Sequence, residues 1–591
     1  MVDQQRSRFE LTALALCALA LLITTFWRYT PQHILFTNDL GLSFAIASEQ
    51  LQGMGALVGP TSHEGARHLG PIYYWFVAVA LAVGRGIAWA TSTNSTFDLD
   101  STYYAIVLMV GLKTAVYLST VLVSLRLLAN SRQRIVAAAI TTAAIIAFQL
   151  PVLRIAWHSN DVLVPLSLAW CSFILALHRG WIYYPPLIVT ATAAVLWHFA
   201  SVPFAIGVCG CGAVALWKLH GNPLKNDTQL ANSGIKRILL FSTTLMLLLA
   251  IHPIMFELKG SGNLHELLSH QLIQKAAATP KAGIVGSLEL LINTAGVQLL
   301  GELRAPRDWT AAIILLAAAL TITGGVALIN VTGSPMASAS PVAAGASSQI
   351  ATSQIGWVVI TVFTTILLYV MASIRLRLPV FYYFLNPLLP IFSTALVLAV
   401  GGSISAFSSR VAKWRILAGF FAPLYCLALI TQAPASIQHQ IPFPVSQEAS
   451  LRHASEIAQV LSTDSRPSDR LRLLIRGPGF MEALRDNSVY YFLGVRFYQL
   501  MQRSQFFTEL PRIHKVKPRM FSLAAEATDI SFKRIYLLSC ESDQTKREAE
   551  LELQKQKLRK IFDWQEEIQV ALPTCSTCGD CRLERFSQRI Y

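Results

Sequence analysis

The chain has 591 residues, of which 53% are hydrophobic and 14% charged, and its formal net charge is +15. Soluble domains carry about 25% charged residues, so this composition excludes a soluble globular protein and implies a multi-pass membrane protein. The basic excess sits largely in short loops between apolar segments. There it sets topology by the positive-inside effect and does not signal nucleic acid.

Taken in order, the first apolar run, 11–27, follows Arg6 and Arg8 and precedes no small-residue cleavage site. It reads as a retained anchor. Further runs of membrane-spanning length recur near 72–90, 103–127, 134–150, 162–178, 183–199, 203–218, 237–255, 309–330, 355–373, 379–401 and 414–432. The basic clusters at Arg126–Arg134, Lys218–Arg237 and Arg410–Arg415 are expected in the cytoplasm. With a cytoplasmic N-terminus, the 28–71 and 256–308 loops and the tail from 433 are then expected on the exported side. One conflict stands in this scheme. Two runs separate the 28–71 loop from Arg126, whereas the basic-loop logic requires an odd number of passages.

Residues 331–354 are rich in Gly, Ser and Ala and read as a flexible linker. From 433 the chain is polar and mixed in charge, long enough for a small domain. Segments 470–477 and 534–540 read as strands, and 487–503 and 543–562 as helices, which predicts a soluble α/β domain over 433–591. Its Cys540, Cys575, Cys578 and Cys581 suit disulfides in an exported tail, with a zinc site as the other reading. Cys17, Cys171, Cys209, Cys211 and Cys426 lie in apolar runs and read as small hydrophobes.

The residues that bear chemistry cluster in loops on the expected exported face. Asp39 stands just past the first run and opens LGLSFAIASEQL, a short amphipathic pattern. It reads as a general base for an acceptor hydroxyl or as a helix N-cap, and the two roles are compatible. The segment 59–71 carries Glu64, Arg67 and His68. The cations suit a phosphate oxygen, and Glu64 suits an orienting role or a divalent metal; a solvated turn is the plain alternative. Tyr73, with Tyr74 and Trp75, fits an aromatic belt at the membrane surface. Trp157 and Asp161 lie in LRIAWHSND, a polar turn between two apolar runs, where an interfacial acid is a functional candidate or a helix cap. His198 occupies a similar turn. Arg375 and Arg377 sit at an expected outer helix end, against the positive-inside trend, and suit a lipid phosphate or ordinary snorkelling.

The order of these segments resembles the GT-C superfamily of polyprenyl-phosphate-sugar-dependent glycosyltransferases. The resemblance is to its bacterial protein O-mannosyltransferase-like and aminoarabinose-transferase-like families. It covers roughly residues 10–430 and rests on five segments: an acid opening the first exported loop, HLGPIYYWF (68–76), WHSND (157–161), LWHFASVPF (196–204) and RLRLPVFYYFLNPLLP (375–390). It implies an α-helical multi-pass membrane protein of about 11–13 transmembrane helices over 1–432. It also implies a lipid-linked sugar donor, a glycan, lipid or protein acceptor, and residence in the bacterial inner membrane. The family's first-loop acid corresponds to Asp39, its re-entry motif to His68, Gly70 and Pro71, and its exported-turn acid to Asp161. Many relatives have Asp-Glu where this chain has Asn38-Asp39, and often a basic residue or His where it has Gly70. A transporter or flippase of lipid-linked glycans is the rival reading. Paired half-helices and midplane polar residues would mark it.

Overall fold

A computed structural model describes residues 2–27, 38–51, 59, 69–91, 97–128, 130–221, 233–258, 283–288, 341–374 and 382–408, and four strands between 471 and 588. The apolar runs become helices because a backbone in hydrocarbon must satisfy its own hydrogen bonds. In chain order these are α1 (Val2–Phe26), α2 (Asn38–Gln50), α3 (Ile72–Thr91), α4 (Phe97–Ser124) and α5 (Ser131–Ala144). Helix α5 continues through a π turn, Ile145–Gln149, into α6 (Leu150–Arg154). Then follow α7 (His158–Asp161), α8 (Leu163–Arg179), α9 (Tyr184–Trp197), α10 (Val202–His220), α11 (Ser233–Leu258), α12 (Pro341–Ile374) and α13 (Leu389–Ser408). Among the described residues, seven helices are long and apolar enough to cross a membrane, with two shorter apolar helices beside them. The runs near 309–330 and 414–432 lie outside the described residues.

Long-range contacts sort the helix ends into two levels. At one level Glu10 of α1 accepts from Ser131 Oγ (2.7 Å) and pairs with Arg134 (3.1 Å). Gln354 Nε2 donates to the Leu177 carbonyl there, and His220 packs under Gly180. At the other level Arg154 Nη2 donates to the Trp27 carbonyl (2.8 Å), and the Gly70 amide donates to the Leu196 carbonyl (2.9 Å). From Asp161 to Arg179, α8 rises about 27 Å at 1.5 Å per residue, close to the ~30 Å of a bilayer's hydrocarbon.

This geometry resolves the conflict over Arg126. Helix α3 starts at the Gly70 level. Its Gly84 backs onto Ser101 and Ala105 of α4, while Tyr73 at its start and Lys113 of α4 both reach the 158–161 turn, so the two helices run antiparallel. Lys113 brings α4 back to the level of Asp161. The apolar stretch Asp100–Leu127 has 28 residues, about 42 Å of helix, long enough to extend beyond that level and still reach the Glu10 end. The runs at 72–90 and 103–127 therefore make one net passage between levels, not two. Arg126 shares its end with Arg132, Arg134 and the start of α1.

The expected linker needs correction. From Pro341 onward the Gly/Ser/Ala stretch is helical, as the first part of α12. Alanine has the highest helix propensity and serine only a modest penalty, and Gln354 anchors this part of the helix to α8. Cys17, Cys171, Cys209 and Cys211 are free thiols. Cys426 and the four tail cysteines lie outside the described residues.

In the tail, β1 (Leu471–Arg476), β2 (Arg534–Ser539), β3 (Trp564–Val570) and β4 (Arg582–Gln588) form one sheet in the order β1-β2-β4-β3. Strands β1 and β2 run parallel, with Leu473 opposite Tyr536, and the other pairs are antiparallel. The first two strands match the predicted strands; the expected helices at 487–503 and 543–562 lie outside the described residues.

Two measurements check this arrangement. Single-cysteine labels at Asn130, Gly180 and Gly221 are expected to react from one side of the membrane and a label at Trp157 from the other; Asn130 reacting with Trp157 would contradict the hairpin. A Cβ at Gly84 would collide with the Ser101 carbonyl and lie 2.8 Å from the Ala105 nitrogen. Gly84→Leu is therefore expected to lower the unfolding free energy in detergent by about 1–3 kcal/mol.

Candidate functional site

The polar turn 155–161 is the centre of the site. Helix α6 ends at Arg154, residues 155–157 leave the helical ladder, and Trp157 adopts an extended conformation (φ −159°, ψ 140°). Its carbonyl then accepts from the amides of Asn160 (2.8 Å) and Asp161 (2.7 Å), which restarts the helix. Each part of the turn is tied to a different segment of the chain. Lys113 Nζ of α4 donates to the Ile155 carbonyl (2.7 Å) and to Asp161 Oδ1 (2.8 Å). Trp197 Nε1 donates to the His158 carbonyl (3.1 Å). Asn386 Nδ2, from the 3-10 turn Tyr382–Leu388, donates to the Ser159 carbonyl (3.1 Å) and to Asn160 Oδ1 (2.9 Å).

Lys113 and Asp161 are each 0% exposed. A charge buried in protein is costly unless it is paired and hydrogen-bonded, and here each supplies the other's counter-charge. Asp161 stands in the first turn of the continuous span His158–Arg179, where the positive end of a helix also favours a carboxylate.

His198 faces this turn. Helix α9 stops at Trp197, and His198 is extended (φ −149°, ψ 115°). Its Nδ1 accepts from the Ala200 amide (3.3 Å) and caps the next turn. In a neutral ring that acceptor role places the proton on Nε2, which lies 3.2 Å from Ser159 Oγ and donates to it. The His158 and His198 rings stack at 5.7 Å. Tyr73 lies against His158 (5.9 Å) and Trp197 (5.5 Å), and Trp157 against His158 (5.3 Å). Tyr369 of α12 donates to the Ala200 carbonyl (2.7 Å) and fixes the loop from the far side. The result is an aromatic-walled polar cluster at one end of the bundle. It supplies imidazole, hydroxyl and amide groups together with one buried ion pair.

Of the residues singled out from sequence, the structure brings together Tyr73, Trp157, Asp161 and His198. Asp39 lies in the first turn of α2, with its side chain outside the described residues. Glu64, Arg67, His68, Arg375 and Arg377 also lie outside them. Asp161, read as an interfacial acid in an exported turn, is fully buried and ion-paired. Sequence reasoning passed over Lys113, Ser159, Trp197 and Asn386. Lys113 did leave a signal as a cation in the middle of the 103–127 run, where an intramembrane charge marks function by default. Among the described residues no group of three or more His, Cys, Asp or Glu side chains could hold a metal ion.

No family model and no curated protein matches the sequence. Among solved structures, the chain is similar to the apo oligosaccharyltransferase of Archaeoglobus fulgidus, with 12% identity and a TM-score of 0.39 over 89% of this chain and 69% of that one.

A double-substitution cycle checks the ion pair. Lys113→Met strands a buried carboxylate, and removing one partner of a buried pair costs about 3–5 kcal/mol. The added Asp161→Leu is expected to restore most of that loss in detergent unfolding. Two additive losses would show that the pair is not coupled.

Proposed function

We propose that the chain is an integral-membrane glycosyltransferase that moves a sugar from a polyprenyl-phosphate donor to an acceptor at the site end of the bundle. One observation carries this reading. Segments 69–76, 157–161, 196–201 and 382–390, which carry much of the sequence resemblance, lie far apart in the chain and meet at one cluster. Hydrophobic packing alone gives no reason for the polar parts of those segments to converge.

On this reading the donor's tail lies in the bilayer and its phosphate at the site end. Arg67, His68, Arg375 and Arg377 grip the phosphate and stabilise it as it leaves. Asp39 takes the proton of the acceptor hydroxyl, whose oxygen attacks the anomeric carbon. The bond from that carbon to the phosphate oxygen breaks, and the polyprenyl phosphate departs with the electron pair. Glu64, Tyr73, Trp157 and His198 line and orient the sugar, and Asp161 shapes the turn that presents them. The basic end, with Arg126, Arg132 and Arg134, is cytoplasmic by the positive-inside effect, so the site end is the exported one, and a crossing by the 414–432 run would carry the 433–591 domain to the same side.

The flippase reading draws on a second set of buried polar groups below Lys113. Tyr117 donates to Gln149 Oε1 (2.6 Å) from the π turn and meets Ser393, while Ser124 and Trp170 meet Thr394. These groups bond to one another and are sealed at 0–2% exposure. They act as interhelical glue and offer no polar path through the bundle.

The test is transfer in membranes supplied with a panel of radiolabelled polyprenyl-phosphate sugars. Wild type is expected to consume one donor. Asp39→Asn is expected to lose about 10²–10⁴ of that rate, the usual worth of a general base, with unchanged thermal stability. Undiminished transfer by Asp39→Asn would remove the base assignment. Donor translocation without transfer, whatever stands at residue 39, would replace the enzyme with a flippase.

A further inference from the structure

We infer that Lys113 is a positioning residue: its ammonium ties the Ile155 carbonyl to the Asp161 carboxylate across the break before α7, and so fixes Ser159 against His198. The placement of side chains does not depend on what the protein does. That this positioning serves sugar transfer rests on the transferase reading above.

Lys113 stands in an apolar run, where methionine or leucine would insert without penalty, while a lysine there is expensive. Nor is a buried ion pair a good device for stability, because well-packed hydrophobic residues of similar volume usually do as well or better. The pair must therefore supply something that apolar packing cannot, and its geometry shows what that is. Residues 155–157 lie outside the helical ladder, so the Ile155 carbonyl lacks an intrahelical partner and a direction in which it must point. Lys113 reaches that carbonyl at 2.7 Å and the carboxylate six residues on at 2.8 Å. One rigidly buried atom thus sets the span of the turn. Within that span lies Ser159, whose Oγ meets His198 Nε2 at 3.2 Å.

Trp197 and Asn386 hold the same turn by neutral hydrogen bonds. The bonds from Lys113 are charge-assisted, a class roughly twice as strong. Loss of the ammonium should let the 155–161 segment relax along α4 and pull Ser159 away from the imidazole. Apolar replacement of both charges keeps the core filled but removes this constraint, so it separates positioning from stabilisation.

The experiment uses the full chain in detergent with ¹³C-labelled histidine, the His198 signal being assigned by its loss in His198→Gln. The variants are Lys113→Met/Asp161→Leu and the isosteric Asp161→Asn, which keeps the proposal testable should the double variant fail to fold. In whichever variant melts as a folded protein, the His198 signal is expected to move from its wild-type position. Where wild type turns over a donor, kcat is expected to fall about tenfold or more, the scale of a misplaced group, with the donor KM within about twofold. Lys113→Arg, which retains the cation, is expected to recover part of kcat. A His198 signal unmoved in the folded variants overturns the positioning role, whatever the activity. A moved signal with unchanged kcat overturns its role in transfer. If wild type consumes no donor, the transferase reading fails while the histidine signal still decides this inference.

Discussion

The constraint on which the site depends is the cost of leaving a buried charge without a partner. Lys113 and Asp161 lie 48 residues apart and are both fully buried. Each is tolerable only because the other is there, so α4 and the start of α8 cannot separate without leaving two buried charges unpaired. That requirement brings α4 back from the α3 hairpin at one particular depth. It sets the level of the 155–161 turn, and with it the neighbours of that turn: Trp197 and His198 at the end of α9, Asn386 before α13, and Tyr73 at the start of α3. Helix packing in lipid has little hydrophobic drive of its own. A few polar contacts of this kind therefore decide register where greasy surfaces would slide.

Much of the helical framework was legible in the sequence because long apolar runs have one stable solution in lipid. The direction of α3 relative to the site was not legible. Hydropathy marks 72–90 and 103–127 alike and says nothing of how far each extends beyond a bilayer; the contacts of Gly84 and Lys113 decide that, and neither has a local signature of its partner. The stretch from Pro341 was misread for a similar reason. Serine, glycine and alanine suggest a linker by composition, yet alanine favours helix and Gln354 finds a partner on α8.

At the site, Asp161 and His198 were legible because each stands in a short polar interruption between apolar runs. Their partners were not. Asn386 is a single polar residue in an otherwise apolar segment and binds residues more than 220 positions away. Such pairings are tertiary facts with no local signature, and Lys113 left only the general warning that a buried charge must have a partner. The chemistry proposed for Asp39 and the basic residues of the first loop rests on motif order, while the aromatic and imidazole side of the cluster rests on geometry.

The most direct measurement of the central claim, that the converged segments form the substrate site, is photo-crosslinking. A short-chain polyprenyl-phosphate sugar with a diazirine on its sugar would be irradiated with the full-length protein in nanodiscs, and the labelled peptides mapped. The account expects adducts in 69–76, 157–161, 196–201 and 382–390 that disappear when unlabelled donor is added. Adducts at the Glu10–Arg134 end, or adducts at the cluster that excess donor does not displace, would contradict it.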